Sequence, residues 1–121
     1  MRSGKGCRVA DPPSMLSQLR DIGDRYLRRT LREADQLQEL VGKGLGGDAD
    51  GAKQTEQLAH KIHGSGAMFG FHAVSERAGQ IERLVAQHAA DLAAVAEELT
   101  SLVTQLRREV HSAASERGIE E

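Results

Sequence analysis

Apolar residues return along this chain at intervals of three and four, with polar residues between them. That spacing puts them on one face of a helix, again and again. Met15, Leu19, Ile22 and Tyr26 open the pattern, and Gly23 interrupts it. A short first helix is expected there, with Ser14 after Pro12 and Pro13 as its cap. A second helix is expected over residues 24–41, carrying Leu27, Leu31, Ala34, Leu37 and Val41. Residues 42–51, GKGLGGDADG, are dense in glycine and predict a flexible connection between antiparallel helices. A third helix is expected over residues 52–68, with Gly70 as its stop. In a fourth, residues 72–87, Val74, Ala78, Ile81 and Val85 form a buried stripe. In a fifth, residues 91–113, Leu92, Val95, Leu99, Leu102, Leu106, Val110 and Ala113 alternate three and four, the seam of bundle packing. Asp91 at its start suits the positive end of the helix dipole. No stretch has the period of a strand, and no segment repeats. The expected fold is all-α: an antiparallel up-down four-helix bundle with a short extra N-terminal helix, over residues 14–114. Residues 1–13 are expected to be a disordered lead-in and residues 115–121 a frayed tail.

Composition narrows the function. A chain of 121 residues fits one domain with a modest core. Aromatic residues are only 2% of it, so the core must be aliphatic, which suits helix-on-helix packing. The net charge of −2 argues against a nucleic-acid binder. No apolar run reaches the roughly 18 residues of a membrane span. The basic N-terminus has no apolar stretch behind it, so no secretory signal is expected. Cys7, the single cysteine, has no partner and is expected to be a plain free thiol. A cytoplasmic protein is the expectation. Arg25, Arg28, Arg29 and Arg32 share the outer face of the second helix, where Asp24, Glu33 and Asp35 lace them into a solvated surface. An acidic partner could use that face, but solvation alone explains it. The glycine loop lacks the preceding strand and the Gly-Lys-Ser/Thr ending of a phosphate-cradling loop.

The candidate chemistry lies in residues 59–71, AHKIHGSGAMFGF. At about 100° per residue, Leu58, Ile62 and Phe69 share one stripe, and His60 lies about 160–200° away. His60 is therefore expected to face solvent. Gly64 follows one turn on and Ala67 two turns on, with His63 beside them. A helix glycine costs about 1 kcal/mol relative to alanine. Here it leaves a bare patch that another protein's backbone could approach. Five histidines are present, His60, His63, His72, His88 and His111, but none has the spacing and third ligand of a zinc site. No metal and no cofactor are expected.

The stretch resembles the histidine phosphotransfer (HPt) family, whose motif is a histidine followed by lysine at three residues and glycine at four, then small residues. His60 matches the phosphoacceptor, Gly64 the glycine, and Ser65, Gly66 and Ala67 the small run. Met68–Phe71, MFGF, is closest to the phosphotransfer domain of chemotaxis histidine kinases. His63 stands where the family has lysine. The resemblance is strong over residues 58–84 and implies a stand-alone phosphoryl carrier of a two-component phosphorelay, not an enzyme. His60 would exchange the group with a receiver-domain aspartate of a response regulator or hybrid kinase, and that partner would bring Mg²⁺. The resemblance implies that Glu82 hydrogen-bonds the acceptor and orients its ring. His63, with Lys61 as a second candidate, would sit near the phosphate, and Gly64, Ala67 and Lys61 would form the docking surface. The rival expectation is a helical interaction module, or a degenerate member of the family, that binds partners without transfer.

Overall fold

A computed structural model describes residues 12–119, with side chains from Met15 onward. Cys7 and the sequence up to residue 11 lie outside the described residues. Four helices follow in order: α1 (Pro12–Leu45), α2 (Ala49–Met68), α3 (His72–Gln87) and α4 (Ala96–Glu116), with a 3₁₀ turn at Leu92–Val95 before the last. The short connections force each helix to run antiparallel to the one before. α1 packs on α2 and α4, and α3 packs on the same two, which closes the bundle. The expected all-α four-helix bundle is what the chain forms.

The core is aliphatic. Leu27, Leu37, Ile62, Ile81, Leu99, Leu106, Val85 and Val110 are all under 2% exposed. On α4 the centre of the stripe is Leu99, Val103, Leu106, Val110 and Ala114, while Leu102 and Ala113 flank it half-buried. Two threonines are buried inside helices without penalty. The hydroxyls of Thr30 and Thr55 donate to the carbonyls of Tyr26 and Gly51, each at 2.7 Å.

The N-terminal segment is helical, but it is not a separate helix. α1 runs through Gly23 without a break. Gly23 instead makes room for Arg117, whose guanidinium would stand 2.5 Å from a Cβ there. Arg117 also donates to Asp24 at 3.1 Å, joining the end of α4 to α1. With 34 residues against 20 and 21 for α2 and α4, α1 overruns the bundle. Met15, Leu16 and Leu19, on its first turns, are therefore more than half exposed.

The glycine-dense connection is also shorter than its composition suggests. α1 continues to Leu45, and α2 starts at Ala49, with Asp48 accepting from the Asp50 N–H at 3.0 Å. Gly44 and Gly51 belong to helices and face each other. A Cβ on Gly51 would lie 2.9 Å from Lys43 Cβ and 3.0 Å from Gly44 N. These glycines let α1 and α2 meet backbone to backbone.

The far end of the bundle is closed by aromatic rings. Tyr26 stacks on Phe69 and Phe71, with centroids 4.9 and 5.2 Å apart. The turn between α2 and α3 is fixed by Gly70, at φ 83°. The Phe71 N–H donates to the Gly66 carbonyl at 2.8 Å and that of Gly70 to Ala67 at 3.3 Å, which satisfies the last carbonyls of α2. α4 ends in the same way. Gly118 has φ 74°, and the Ile119 N–H donates to Ala114 at 2.9 Å. Ile119 is only 6% exposed, so residues 115–119 form a capped and packed end, not a frayed one.

Two neighbouring glycines should respond oppositely to alanine. Gly42 has open space where its Cβ would stand, so Gly42→Ala should stabilise the protein by about 0.5–1 kcal/mol. Gly51→Ala should destabilise it, because overpacking costs about 1–3 kcal/mol and outweighs the helix gain. Urea unfolding of the two variants, followed by circular dichroism, checks both signs.

Candidate functional site

The site forms where α2 and α3 lie side by side near the middle of their lengths. His60 projects from α2 on the face opposite the buried Ala59 and Ile62. Its side chain is 73% exposed. From α3, Glu82 reaches across and brings Oε2 to 2.7 Å from His60 Nδ1. Glu82 is 24% exposed, standing beside Ile81 and Val85 of the core stripe. Its carboxylate accepts from the ring N–H, which fixes the proton on Nδ1 and leaves the Nε2 lone pair free. The structure thus brings together the two residues expected to act as acceptor and orienting carboxylate.

The surface beyond His60 is bare. Gly64 is exposed, and a Cβ placed on it would meet nothing within 4 Å. Packing inside the protein therefore does not require a glycine there. Ala67 is exposed, and Met68 beside it is 79% exposed. On the other side of His60 an open cleft of about 310 Å³ is lined by Lys53, Glu56, Gln57, His60 and Glu82. Lys53 and Gln57 lie seven and three residues before His60, a spacing that sets them on its face, yet nothing in the motif singled them out.

His63 and Lys61 are placed differently from expectation. His63 does not stand free beside His60. Its ring is half-buried against α3, where Nδ1 lies 2.8 Å from the Ser75 carbonyl and 3.2 Å from Ser75 Oγ. The Ser75 hydroxyl donates back to the His63 carbonyl at 2.7 Å. Lys61 is turned toward α1. Its Nζ lies 3.0 Å from Glu33 Oε2, and Glu33 is only 7% exposed. A carboxylate that deeply buried needs a cation beside it, which accounts for the direction of the lysine. Arg29 approaches the same oxygen at 3.9 Å. Ser75 was not foreseen, and Glu33, expected on a solvated face with Asp24 and Asp35, is buried instead; each meets its partner only through tertiary packing.

The remaining histidines take no part. His72 and His111 are exposed, and His88 Nδ1 is 3.0 Å from the Leu84 carbonyl at the end of α3. Among the described residues, no three His, Cys, Asp or Glu side chains gather as metal ligands. No helix among them is long and apolar enough to cross a membrane.

The family model described as Hpt domain matches residues 25–114. No curated protein and no solved structure matches the chain significantly.

The open space at Gly64 gives a stability test. Gly64→Gln should fold and gain up to about 0.5 kcal/mol, because glutamine is the better helix former and a Cβ at this exposed position meets no neighbour. Thermal unfolding monitored at 222 nm checks this; a lower midpoint would show that the glycine serves the interior after all.

Proposed function

The chain belongs to the Hpt domain family, and from that premise we propose that it is a phosphoryl carrier whose acceptor is His60. The observation that carries this reading is the 2.7 Å contact between His60 Nδ1 and Glu82 Oε2 on a ring otherwise open to solvent. Members of this family pass phosphoryl groups in phosphorelays, in contact with receiver and kinase domains. The finer assignment concerns this chain's own residues.

The neutral imidazole attacks through Nε2. The phosphorus of an aspartyl phosphate on the partner is the electrophile. A P–N bond forms as the P–O bond to the aspartate breaks, and the aspartate leaves as a carboxylate. The imidazole becomes cationic with its proton still on Nδ1. Glu82, already hydrogen-bonded to that proton, offsets the new charge and strengthens the ring as a nucleophile. The reverse steps return the group to an aspartate. The carrier has no catalytic activity of its own in this reading; the partner supplies Mg²⁺ and the acidic site. Gly64 and Ala67 form a low rim that lets the partner's active site close over His60, and Lys61, held by Glu33, edges that rim. His63 contributes through α3 and not as a free cation beside the phosphate. A cytoplasmic location goes with such a role.

Incubation with a phosphorylated receiver, or with a small donor such as phosphoramidate, should give an acid-labile label on His60. A folded His60→Gln variant should take up none. Label that persists in that variant would place the acceptor on another residue, and a wild type that takes up no label would return the chain to a binding module. Gly64→Gln should accept from the small donor at the normal rate but from a receiver about a hundredfold more slowly, because it holds the two reacting atoms apart. Equal slowing with both donors would place the damage in the imidazole, not in docking.

A further inference from the structure

The His60–Glu82 bond joins two separate helices at the protein surface, so it depends on how α3 is turned relative to α2. An α-helix with its side chains is about 5–6 Å in radius, so a 20° turn of α3 moves a side-chain end by roughly 2 Å. That displacement would take a 2.7 Å hydrogen bond well past its limit. Apolar packing resists sliding, but it has no direction and specifies the turn loosely. Directional bonds specify it better. Among the described residues, the side-chain hydrogen bonds between α2 and α3 are the one at His60–Glu82 and a group formed by His63 and Ser75.

That second group is reciprocal. The His63 ring donates from Nδ1 to the Ser75 carbonyl at 2.8 Å, and the Ser75 hydroxyl donates to the His63 carbonyl at 2.7 Å. Two glycines let it form. Opposite Ser75, Gly66 is buried, and a Cβ there would lie 3.1 Å from Ser75 Cα. Opposite the His63 ring stands Gly79, where a Cβ would lie 2.8 Å from Nδ1 and 3.0 Å from Cε1. The ring fills the groove that Gly79 leaves empty. His63 is one turn from His60 on α2, and Gly79 is one turn from Glu82 on α3.

We propose that His63 is a positioning residue: seated on Gly79 and bonded to Ser75, it sets the turn of α3 that delivers Glu82 to His60 Nδ1. His63 touches no reacting atom in this role. The proposal rests on the phosphoacceptor reading for its consequence, but its observable lies in the unphosphorylated protein. An unrestrained neutral imidazole in water prefers the proton on Nε2. In the native protein Glu82 reverses that preference, so the tautomer of His60 reports whether Glu82 is in place.

Long-range ¹⁵N–¹H spectra of the ring, recorded well above the imidazole titration range, distinguish the two tautomers. The wild type should show His60 as the Nδ1–H form, and Glu82→Ala should shift it to the Nε2–H form. His63→Ala should shift it in the same direction. Gly79→Ala should do so as well, by pushing the ring out of its groove, while helix propensity favours the folded state. Circular dichroism verifies that each variant is folded. His63→Asn keeps an N–H donor near the position of Nδ1 and should restore much of the Nδ1–H form. Receiver-dependent transfer should fall about ten- to a hundredfold in His63→Ala and recover in His63→Asn. A His60 that stays in the Nδ1–H form in folded His63→Ala and Gly79→Ala overturns the proposal. A wild type that shows the expected tautomer but accepts no phosphoryl group would leave the positioning role standing and overturn the carrier reading instead.

Discussion

A hydrogen bond at the surface between side chains on different helices is a weak thing to build on, because water competes for the partners. The His60–Glu82 contact is such a bond, and the ring is nearly three-quarters exposed. The imidazole has to be open to another protein, so burial cannot protect the contact. What can protect it is a rigid frame that leaves the two side chains few other places to be. Much of the bundle is intelligible as that frame. Tyr26, Phe69 and Phe71, the only aromatic residues in the chain, are stacked at the turn that joins α2 to α3. Gly70 closes the turn with both of its capping bonds made. From that anchor the two helices run side by side to His60 and Glu82.

Close approach of the backbones stiffens the frame further. Gly44 and Gly51 bring α1 against α2, and Gly66 and Gly79 bring α2 against α3. Each glycine weakens its own helix, by about 1 kcal/mol relative to alanine. The return is close contact, with backbone at Gly44, Gly51 and Gly66 and with the His63 ring at Gly79, where packing is dense and dispersion strong. Lys61 and the buried Glu33 add a polar tie between α1 and α2, one residue from His60. So α2, which carries His60, is held from both flanks, and its outer face is left free.

The fold was legible because its signal is local. Apolar spacing of three and four along residues 74–85 and 99–110 identified the buried faces of α3 and α4, while residues 92–95, expected to open the last helix, form a separate 3₁₀ turn. His60 was legible for the same reason: its angle to Ile62 fixes which way it points. What misled was glycine. Gly23 suggested a break, and the glycines of residues 42–51 suggested a loop, since glycine disfavours helices. In the bundle Gly23, Gly44 and Gly51 are helical, and each has a neighbour close to where a Cβ would stand, as Arg117 is at Gly23 and Lys43 at Gly51; only Gly46 and Gly47 lie in the turn. That neighbour is supplied by tertiary structure, and no local pattern contains it. The partner of His63 was hidden likewise, because Ser75 is twelve residues away on another helix. Gly79, isolated inside an otherwise regular helix, was the one sequence signal that something had to fit there.

Three glycines close in sequence or space around the site therefore do three different things, and only geometry separates them. At Gly66 the missing side chain is replaced by the backbone of Ser75, and at Gly79 by the ring of His63. At Gly64 nothing among the described residues replaces it. A helix keeps a costly glycine for a reason, and at Gly66 and Gly79 the reason is internal and visible. At Gly64, one turn from His60, no internal neighbour explains it. Access from outside, by a body whose backbone or active-site rim comes close to the imidazole, is the reason consistent with the proposed carrier role. The open space at Gly64, one turn from the exposed His60 ring, is thus the feature that best supports docking of a protein partner in that reading.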